Sequence, residues 1–153
     1  MKTKKIYFDM DGTIADLYGQ KNWLDRLLKE EPELYLNAPP LIDMELLRTK
    51  IEKVREKGIE VSVITWLAKG TSDNHHTMVA EEKLEWLENY GLEFDDIHIL
   101  RYGTNKHDVP VSVENSIIFD DNAQVREDWE RQGGIAIDEK NILGTLNEIL
   151  RVD

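Results

Sequence analysis

Two carboxylates separated by a single residue, Asp9 and Asp11, are the groups in this sequence best placed to do chemistry. They directly follow an apolar run at residues 6–8 and precede Gly12-Thr13. A short apolar run that ends in a turn is typical of a buried strand. Alternate side chains of a strand share a face, so the two carboxylates would repel each other. A divalent cation, or a proton held by one of them, would make the pair tolerable.

Further polar groups lie just after other predicted strands. Thr65 ends one strand, Lys106 follows the next strand, and Asp120-Asp121 come directly after the one that follows. Because parallel strands bring their carboxyl ends to one edge of a sheet, we expect these side chains to converge with the first two aspartates. The crevice would then hold four carboxylates, one hydroxyl and one ammonium. This excess of carboxylate oxygens suits Mg²⁺.

The elements that must position these residues alternate between strands and helices. Strands are predicted at 6–8, 59–65, 97–100, 113–119 and 134–137, helices at 16–31, 44–57, 79–90, 123–132 and 142–150, and a polar loop at 69–77. Such alternation gives right-handed βαβ units and a parallel sheet. We therefore predict one three-layer α/β domain over residues 1–153, with a small helical cap insert at about 17–43 above the end of the first strand.

Composition narrows the range of functions. The chain has 153 residues, no cysteine and a net charge of −12. The missing cysteines exclude disulfides and thiolate catalysis, and they fit a cytoplasmic protein. The acidic balance argues against long nucleic acids as partners but leaves room for a small phosphorylated substrate. We expect no signal peptide and no membrane span, because no apolar run is long enough. A homo-oligomer is left open.

The order of these motifs resembles that of the haloacid dehalogenase (HAD) superfamily. Asp-Met-Asp-Gly-Thr behind an apolar strand is a specific signature, and the threonine, lysine and paired aspartates follow in the family's order over nearly the whole chain. The resemblance implies a Rossmann-like sheet with strand order 5-4-1-2-3. It also implies a Mg²⁺-dependent phosphomonoesterase, because superfamily members that cleave carbon–halogen bonds lack the second aspartate, here Asp11.

The resemblance assigns a role to each motif. Asp9 would be the nucleophile that forms an aspartyl-phosphate, and Asp11 the general acid/base, whose backbone carbonyl also binds the metal. The Thr65 hydroxyl and the backbone N–H of Trp66 would hold the transferring phosphoryl group, and Lys106 would offset negative charge. Trp66 also lies at the crevice edge, where it could touch a substrate.

The last motif is matched with one alternative left open. Asp121 matches the direct metal ligand, while Asp120 lies either in the outer shell of the metal or against Lys106. The lysine itself is assigned by position, since the other candidates, Lys69 and Lys83, do not lie just before the fourth strand. The implied metal ligands are Asp9, Asp11, Asp120 and Asp121, and the implied substrate-binding residues are Gly12, Thr13, Thr65, Trp66 and Lys106.

Two segments are similar to the 5′(3′)-deoxyribonucleotidase branch of the superfamily, namely residues 9–16 and the lysine-containing stretch 82–87. The second motif is Ile-Thr-Trp rather than a Thr-Ser pair, and the cap is smaller, so the branch's base recognition does not carry over. A small cap would leave the crevice fairly open, or leave its closure to a partner subunit. A 5′-nucleotidase is thus one candidate among small-molecule phosphatases.

Other functions and one other site stay open from the sequence. A phosphatase acting on nucleic-acid ends, a phosphotransferase, and a non-catalytic binding or regulatory module would use the same fold. His75-His76 suggests a metal site, but adjacent histidines do not share a helix face, and we expect a solvated loop there. Trp86 and Trp129 fall on apolar helix stripes and are predicted to lie in the core.

Overall fold

The computed structural model describes residues 2–152, which form a five-stranded parallel sheet flanked by helices. The elements are β1 (Lys5–Phe8), α1 (Trp23–Leu28), α2 (Met44–Glu56), β2 (Glu60–Trp66), α3 (Asp73–Asn89), β3 (Asp96–Leu100), β4 (Ser116–Phe119), α4 (Ala123–Arg131), β5 (Ile135–Ile137) and α5 (Ile142–Arg151). Short 3₁₀ turns lie at Lys106–Asp108 and Glu139–Asn141. The strand order β3-β2-β1-β4-β5 is the predicted order read from the other edge, so the predicted α/β fold is confirmed.

Helices cover both faces of the sheet, and the central strand β1 is buried on both. Ile6 and Phe8 point to one face, where they share a core with side chains of α2, α3 (including Trp86) and α5. Tyr7 points to the other face and packs edge-on against the buried Trp129 of α4, with ring centroids 5.4 Å apart. Burial on both faces explains why β1 is a continuous apolar run rather than an alternating one.

The sheet brings the ends of β1 and β4 side by side. The two strands pair in parallel, with Phe8 opposite Phe119. Beyond them, the backbone N–H of Asp9 donates to the Phe119 carbonyl at 2.9 Å, and that of Asp120 donates to the Ile137 carbonyl at 3.1 Å. The first acidic residue after each strand is therefore held by the backbone ladder at the carboxyl edge of the sheet, where open α/β sheets bind ligands.

Helix α3 begins six residues earlier than predicted, and the expected loop at 69–77 is wrong in its second half. The Ser72 side chain caps the helix by accepting the backbone N–H of His75 at 3.1 Å. The His75 ring is only 3% exposed and contacts the Thr71 hydroxyl at 2.7 Å, while the His76 ring lies 2.9 Å from the Ala68 carbonyl. The expectation of a solvated histidine loop is therefore wrong, because the N-cap starts the helix at Asp73.

Two more boundaries differ where the backbone turns left-handed. The amphipathic stretch 16–31 forms only the six-residue helix α1, because Asn22 and Glu30 both have φ of 56°. The fourth strand begins at Ser116 rather than at residue 113, after Asn115 with φ of 60°. Residues in this conformation cannot continue a helix or a strand.

Within residues 2–152, none of the helices has the length and apolar character to cross a bilayer.

The start and the end of the cap insert are hydrogen-bonded to each other. The backbone N–H of Asp16 donates to the Pro39 carbonyl at 2.7 Å, and that of Leu41 donates to the Ile14 carbonyl at 2.9 Å. These two bonds pair the start and the end of the insert just beyond the β1 turn. The segment between them is consequently anchored directly above the predicted carboxylate pair.

Candidate active site

The turn after β1 fits closely against the second acidic pair. The backbone N–H groups of residues 13–15 all point to the Met10 carbonyl, at 2.9 to 3.1 Å, and Gly12 adopts φ of 81°. A Cβ atom at Gly12 would lie 2.2 Å from Oδ2 of Asp121. Glycine is therefore required twice here, for the left-handed backbone and for the close approach of the two motifs.

Lys106 joins the first acidic pair to the second. Its side chain is buried, and the ammonium donates to Oδ1 of Asp9 at 2.9 Å and to Oδ2 of Asp120 at 2.8 Å. The other oxygen of Asp120 accepts the backbone N–H of Asn122 at 3.0 Å. Both oxygens of Asp120 are thus engaged by the protein. The contact with Lys106, one of the two arrangements expected for Asp120, is present in the structure.

Thr13 holds the carboxylate of Asp121 beside that of Asp9. Its buried hydroxyl lies 2.9 Å from Oδ2 of Asp9 and 3.2 Å from Oδ1 of Asp121, and it accepts the backbone N–H of Asp121 at 3.1 Å. One oxygen each of Asp9, Asp120 and Asp121 lie within 4.8 Å of one another. Because the Thr13 hydroxyl bonds to these carboxylates, the role of Thr13 in the described structure is to position them.

This group of carboxylates has the donor chemistry of a Mg²⁺ site. Mg²⁺ takes hard oxygen ligands, commonly one or two carboxylates completed by water and substrate phosphate. Among the described residues, no hydrogen-bond donor contacts Oδ2 of Asp121, whereas both oxygens of Asp9 and of Asp120 lie within hydrogen-bond distance of a donor, so Asp121 is the member most open to a metal ion. The side chain of Asp11 lies outside the group, so the metal contact expected of this residue would have to come from its backbone carbonyl.

A second buried lysine, Lys83 of α3, also reaches the site. Its ammonium donates to Oδ2 of Asp11 at 2.8 Å, to the Thr65 hydroxyl at 2.6 Å and to the Trp66 carbonyl at 2.8 Å. The side chain is 1% exposed and also lies 5.2 Å from the centre of the Tyr35 ring. Sequence reasoning considered this lysine and set it aside, whereas the structure pairs one lysine with each carboxylate of the first motif.

Thr65 and Trp66 occupy different depths at the end of β2. Thr65 is fully buried behind Lys83, and its contact with a phosphoryl group stays a prediction. The Trp66 ring lines the cavity above the carboxylates, stands 5.0 Å from the Lys106 ammonium, and donates its indole N–H to the Thr104 carbonyl at 3.0 Å. The indole therefore ties the loop that carries Lys106 to the end of β2.

The surroundings push the proton affinities of the first two aspartates apart. Burial raises the pKa of Asp11, and the neighbouring ammonium of Lys83 offsets this only in part. Burial acts on Asp9 too, but the charge of Lys106 and several hydrogen bonds outweigh it, so the pKa of Asp9 falls below its usual value. Burial and the Asp9 charge raise the pKa of both Asp120 and Asp121. The pKa of Asp9 thus lies below its usual value and that of Asp11 above it, which is the separation that distinguishes a nucleophile from a proton carrier.

A cavity of about 310 Å³ opens above these groups, with Asp9, Asp11 and Lys106 at its floor. The insert forms the opposite wall. It has a small core of its own, in which Leu27 and Tyr35 pack with Ala68 beyond β2 and Val79 of α3. The insert is therefore a fixed wall built on the domain by the same chain.

No protein-family model matches the sequence, and no curated protein matches it in a sequence search. Solved structures do share its fold. A protein from Mesorhizobium loti assigned as a HAD-like phosphatase has a TM-score of 0.61 at 15% identity, covering 97% of this chain and 86% of that one. D,D-heptose 1,7-bisphosphate phosphatase from Burkholderia thailandensis has a TM-score of 0.54 at 13% identity, covering 86% and 75%.

A third similar structure is the N-terminal, phosphatase-containing part of a Bacteroides fragilis protein complexed with Mg. It has a TM-score of 0.52 at 12% identity, and the match covers 97% of this chain but 40% of that one. At such identities the likeness establishes the fold. The chain has the fold of HAD-like phosphatases, as its motifs predicted.

Proposed function

We propose that the protein is a Mg²⁺-dependent phosphomonoesterase that hydrolyses a small phosphorylated metabolite through an aspartyl-phosphate on Asp9. The observation that carries the proposal is the contrast between the first two aspartates. The pKa of Asp9, which bonds to the Lys106 ammonium, is lowered despite its burial, burial raises the pKa of Asp11, and both side chains line the cavity at the carboxyl edge of the sheet. A nucleophile and a proton carrier of this kind are what a two-step phosphoryl transfer requires.

In the first step, a carboxylate oxygen of Asp9 attacks phosphorus while the bond from phosphorus to the ester oxygen breaks. Asp11 gives its proton to that oxygen, so the leaving group departs as a neutral alcohol. In the second step, a water oxygen attacks the same phosphorus, Asp11 takes a proton from the water, and the bond to Asp9 breaks. The products are inorganic phosphate and a regenerated Asp9 carboxylate.

The other groups would stabilise charge on the transferring phosphoryl group. Mg²⁺ held by Asp9, Asp121 and the backbone carbonyl of Asp11 would neutralise part of the negative charge on the phosphoryl oxygens. Lys106, placed between Asp9 and Asp120, would add a fixed positive charge close to the attacked phosphorus. These parts need little movement, because their hydrogen bonds already hold the side chains in place.

A panel of phosphate esters tests the proposal. It should contain nucleoside monophosphates, sugar phosphates and a chromogenic ester, each assayed with and without EDTA. We expect hydrolysis that EDTA abolishes and that Asp9→Asn eliminates. Asp73→Asn, an exposed change in the first turn of α3, is the matched control and should keep full activity. An Asp9→Asn protein with full activity would refute the proposal.

The same panel, extended with end-phosphorylated oligonucleotides and with an added alcohol as phosphate acceptor, separates the alternatives. Preferred turnover of nucleoside monophosphates would extend the proposal to a 5′-nucleotidase, and turnover of end-phosphorylated oligonucleotides would point to nucleic-acid ends. Transfer of phosphate to an added alcohol instead of water would indicate a phosphotransferase. A folded protein that binds Mg²⁺ but hydrolyses nothing in the panel would be a non-catalytic module.

A further inference from the structure

We infer that the leaving group of the substrate is compact, uncharged and largely apolar, with a flat ring as its main feature. This inference rests on the proposed function, because it concerns the part of the ester that fills the cavity beyond the phosphoryl group. The cavity has two chemically distinct ends. The floor consists of the carboxylates and Lys106, while the wall formed by the insert is apolar and aromatic.

The wall is formed by one side of α1 and the residues just before it. Leu24, Leu27 and Leu28 lie at positions i, i+3 and i+4 of the helix, so they share a face, and all three line the cavity. Leu24 is 50% exposed and Leu28 is 59% exposed. Large apolar groups left open at the mouth of a cavity are the surface that an apolar ligand would cover.

Aromatic rings flank the cavity on two sides. Tyr18 and Trp23 of the insert form an edge-to-face pair with centroids 4.9 Å apart. Trp66 and Tyr102, at the edge of the sheet, form a tilted pair at 5.1 Å. All four rings line the same cavity. Aromatic rings favour stacked and edge-on contacts with other rings, so the space between these pairs suits a planar group.

Charge argues against a second phosphate on the substrate. Among the described residues that line the cavity, the cations are Lys69 and Lys106. Lys106 is already held by Asp9 and Asp120, and Lys69 lies on the surface, 5.5 Å from the centre of the Tyr102 ring. A second phosphate would therefore meet an apolar wall and a single exposed lysine, in a chain of net charge −12.

The volume of the cavity also favours a compact leaving group. A volume of about 310 Å³ lies near the lower limit of ligand pockets, which span roughly 300–1,000 Å³. Once the phosphoryl group occupies the floor, the remaining space holds one small ring system. A large polar leaving group would both exceed this volume and lose its hydration against the leucines of α1.

Binding of phosphonates, which are not hydrolysed, tests this inference separately from catalysis. We expect 1-naphthylmethylphosphonate to bind at least about tenfold more tightly than methylphosphonate in an NMR titration with Mg²⁺ present, because only the first reaches the apolar wall. Leu28→Asp should reduce this ratio several-fold. Leu46→Asp, an exposed change on α2 that does not line the cavity, is the matched control and should leave the ratio unchanged.

The outcomes separate the two proposals. Equal affinity for the two phosphonates, or preferred hydrolysis of fructose 1,6-bisphosphate over 1-naphthyl phosphate, would overturn the inference and leave the proposed phosphatase activity intact. A naphthyl preference that Leu28→Asp weakens supports the inference. If that preference appears while no ester is hydrolysed, the apolar subsite stands and the proposed function fails.

Discussion

Replacing Lys83 with methionine removes the charge beside Asp11 while keeping a side chain of similar length. In the native protein the Lys83 ammonium bonds to Asp11, the Thr65 hydroxyl and the Trp66 carbonyl, all within 2.8 Å. Methionine satisfies none of these partners. The change therefore leaves one carboxylate and two buried or half-buried oxygens without the donor that they share.

The size of the effect follows from these contacts. Breaking a buried ion pair by removing one partner costs about 3–5 kcal/mol. Asp11 can relieve part of this cost by taking up a proton, and the methionine stem keeps the apolar contacts of the lysine. We therefore expect a loss of about 3 kcal/mol in the free energy of unfolding, below the roughly 5–15 kcal/mol typical of a folded domain.

Activity should change in a way that simple destabilisation does not explain. A positive charge beside a carboxylate lowers its pKa, so the loss of Lys83 raises the pKa of Asp11. Asp11 must be ionised to accept a proton from water in the second step. The acidic limb of the pH–kcat profile should therefore move to higher pH by at least about one pH unit, and kcat at pH 7 should fall about 10- to 100-fold.

The assay combines urea unfolding with a pH–kcat profile on the best substrate of the ester panel. Lys69→Met is the matched control, because Lys69 lines the same cavity without contacting Asp11, and its profile should keep the native acidic limb. If Lys83→Met keeps the native kcat and an unshifted profile, Lys83 does not tune Asp11 and our account of the acid/base pair is wrong.

Three further changes test separate parts of the structure. Glu82→Gln weakens the carboxylate that accepts two backbone N–H groups of the insert, so KM should rise several-fold with a smaller change in kcat, as steady-state kinetics would show. Gly12→Ala forces a Cβ against Asp121, so Mg²⁺ should raise Tm less than it does in the native protein, and a native-sized Mg²⁺ shift would count against the metal site. In the folded native protein, the hydrogen bond from Arg55 lowers the pKa of Asp95, and Asp95→Ala removes that bond. In the native protein, the stabilisation from this hydrogen bond is present at neutral pH and disappears as the pH falls through the lowered pKa of Asp95. The variant should therefore lose about 1 kcal/mol in the free energy of unfolding at pH 7 and less in strong acid, with kcat unchanged.

The parts of the fold that follow strict local rules could be predicted from the sequence. The buried strand β1 is a continuous apolar run, and acidic residues follow both β1 and β4, so the alternation of elements predicted Asp9 and Asp120 at the same edge of the sheet. That their strands are neighbours followed from the strand order implied by the resemblance to the HAD superfamily. The helix of the insert was overestimated because its apolar spacing is regular, whereas its length is set by left-handed residues such as Asn22. Single-residue backbone conformations of this kind leave no periodic signal.

Lys83 was set aside because it was judged by its position along the chain rather than by the face of α3 on which it lies. A signal was present nevertheless. Val79, Trp86 and Leu87 form the buried stripe of α3, and Glu82 and Lys83 fall on that same stripe. Charged residues at apolar positions of an amphipathic helix require partners, since a buried charge is costly alone. Extending the stripe back to His75 would also have predicted the earlier start of the helix.

Chemical trapping at Asp9 tests the central claim most directly. The protein is mixed with Mg²⁺ and its best substrate, quenched during turnover, and treated with borohydride, which reduces an acyl phosphate of aspartate to homoserine. Peptide mass spectrometry should then find homoserine at position 9 and at no other aspartate, and none without substrate. Rapid turnover with position 9 unmodified, or homoserine at Asp11 or Asp121 instead, would contradict the account.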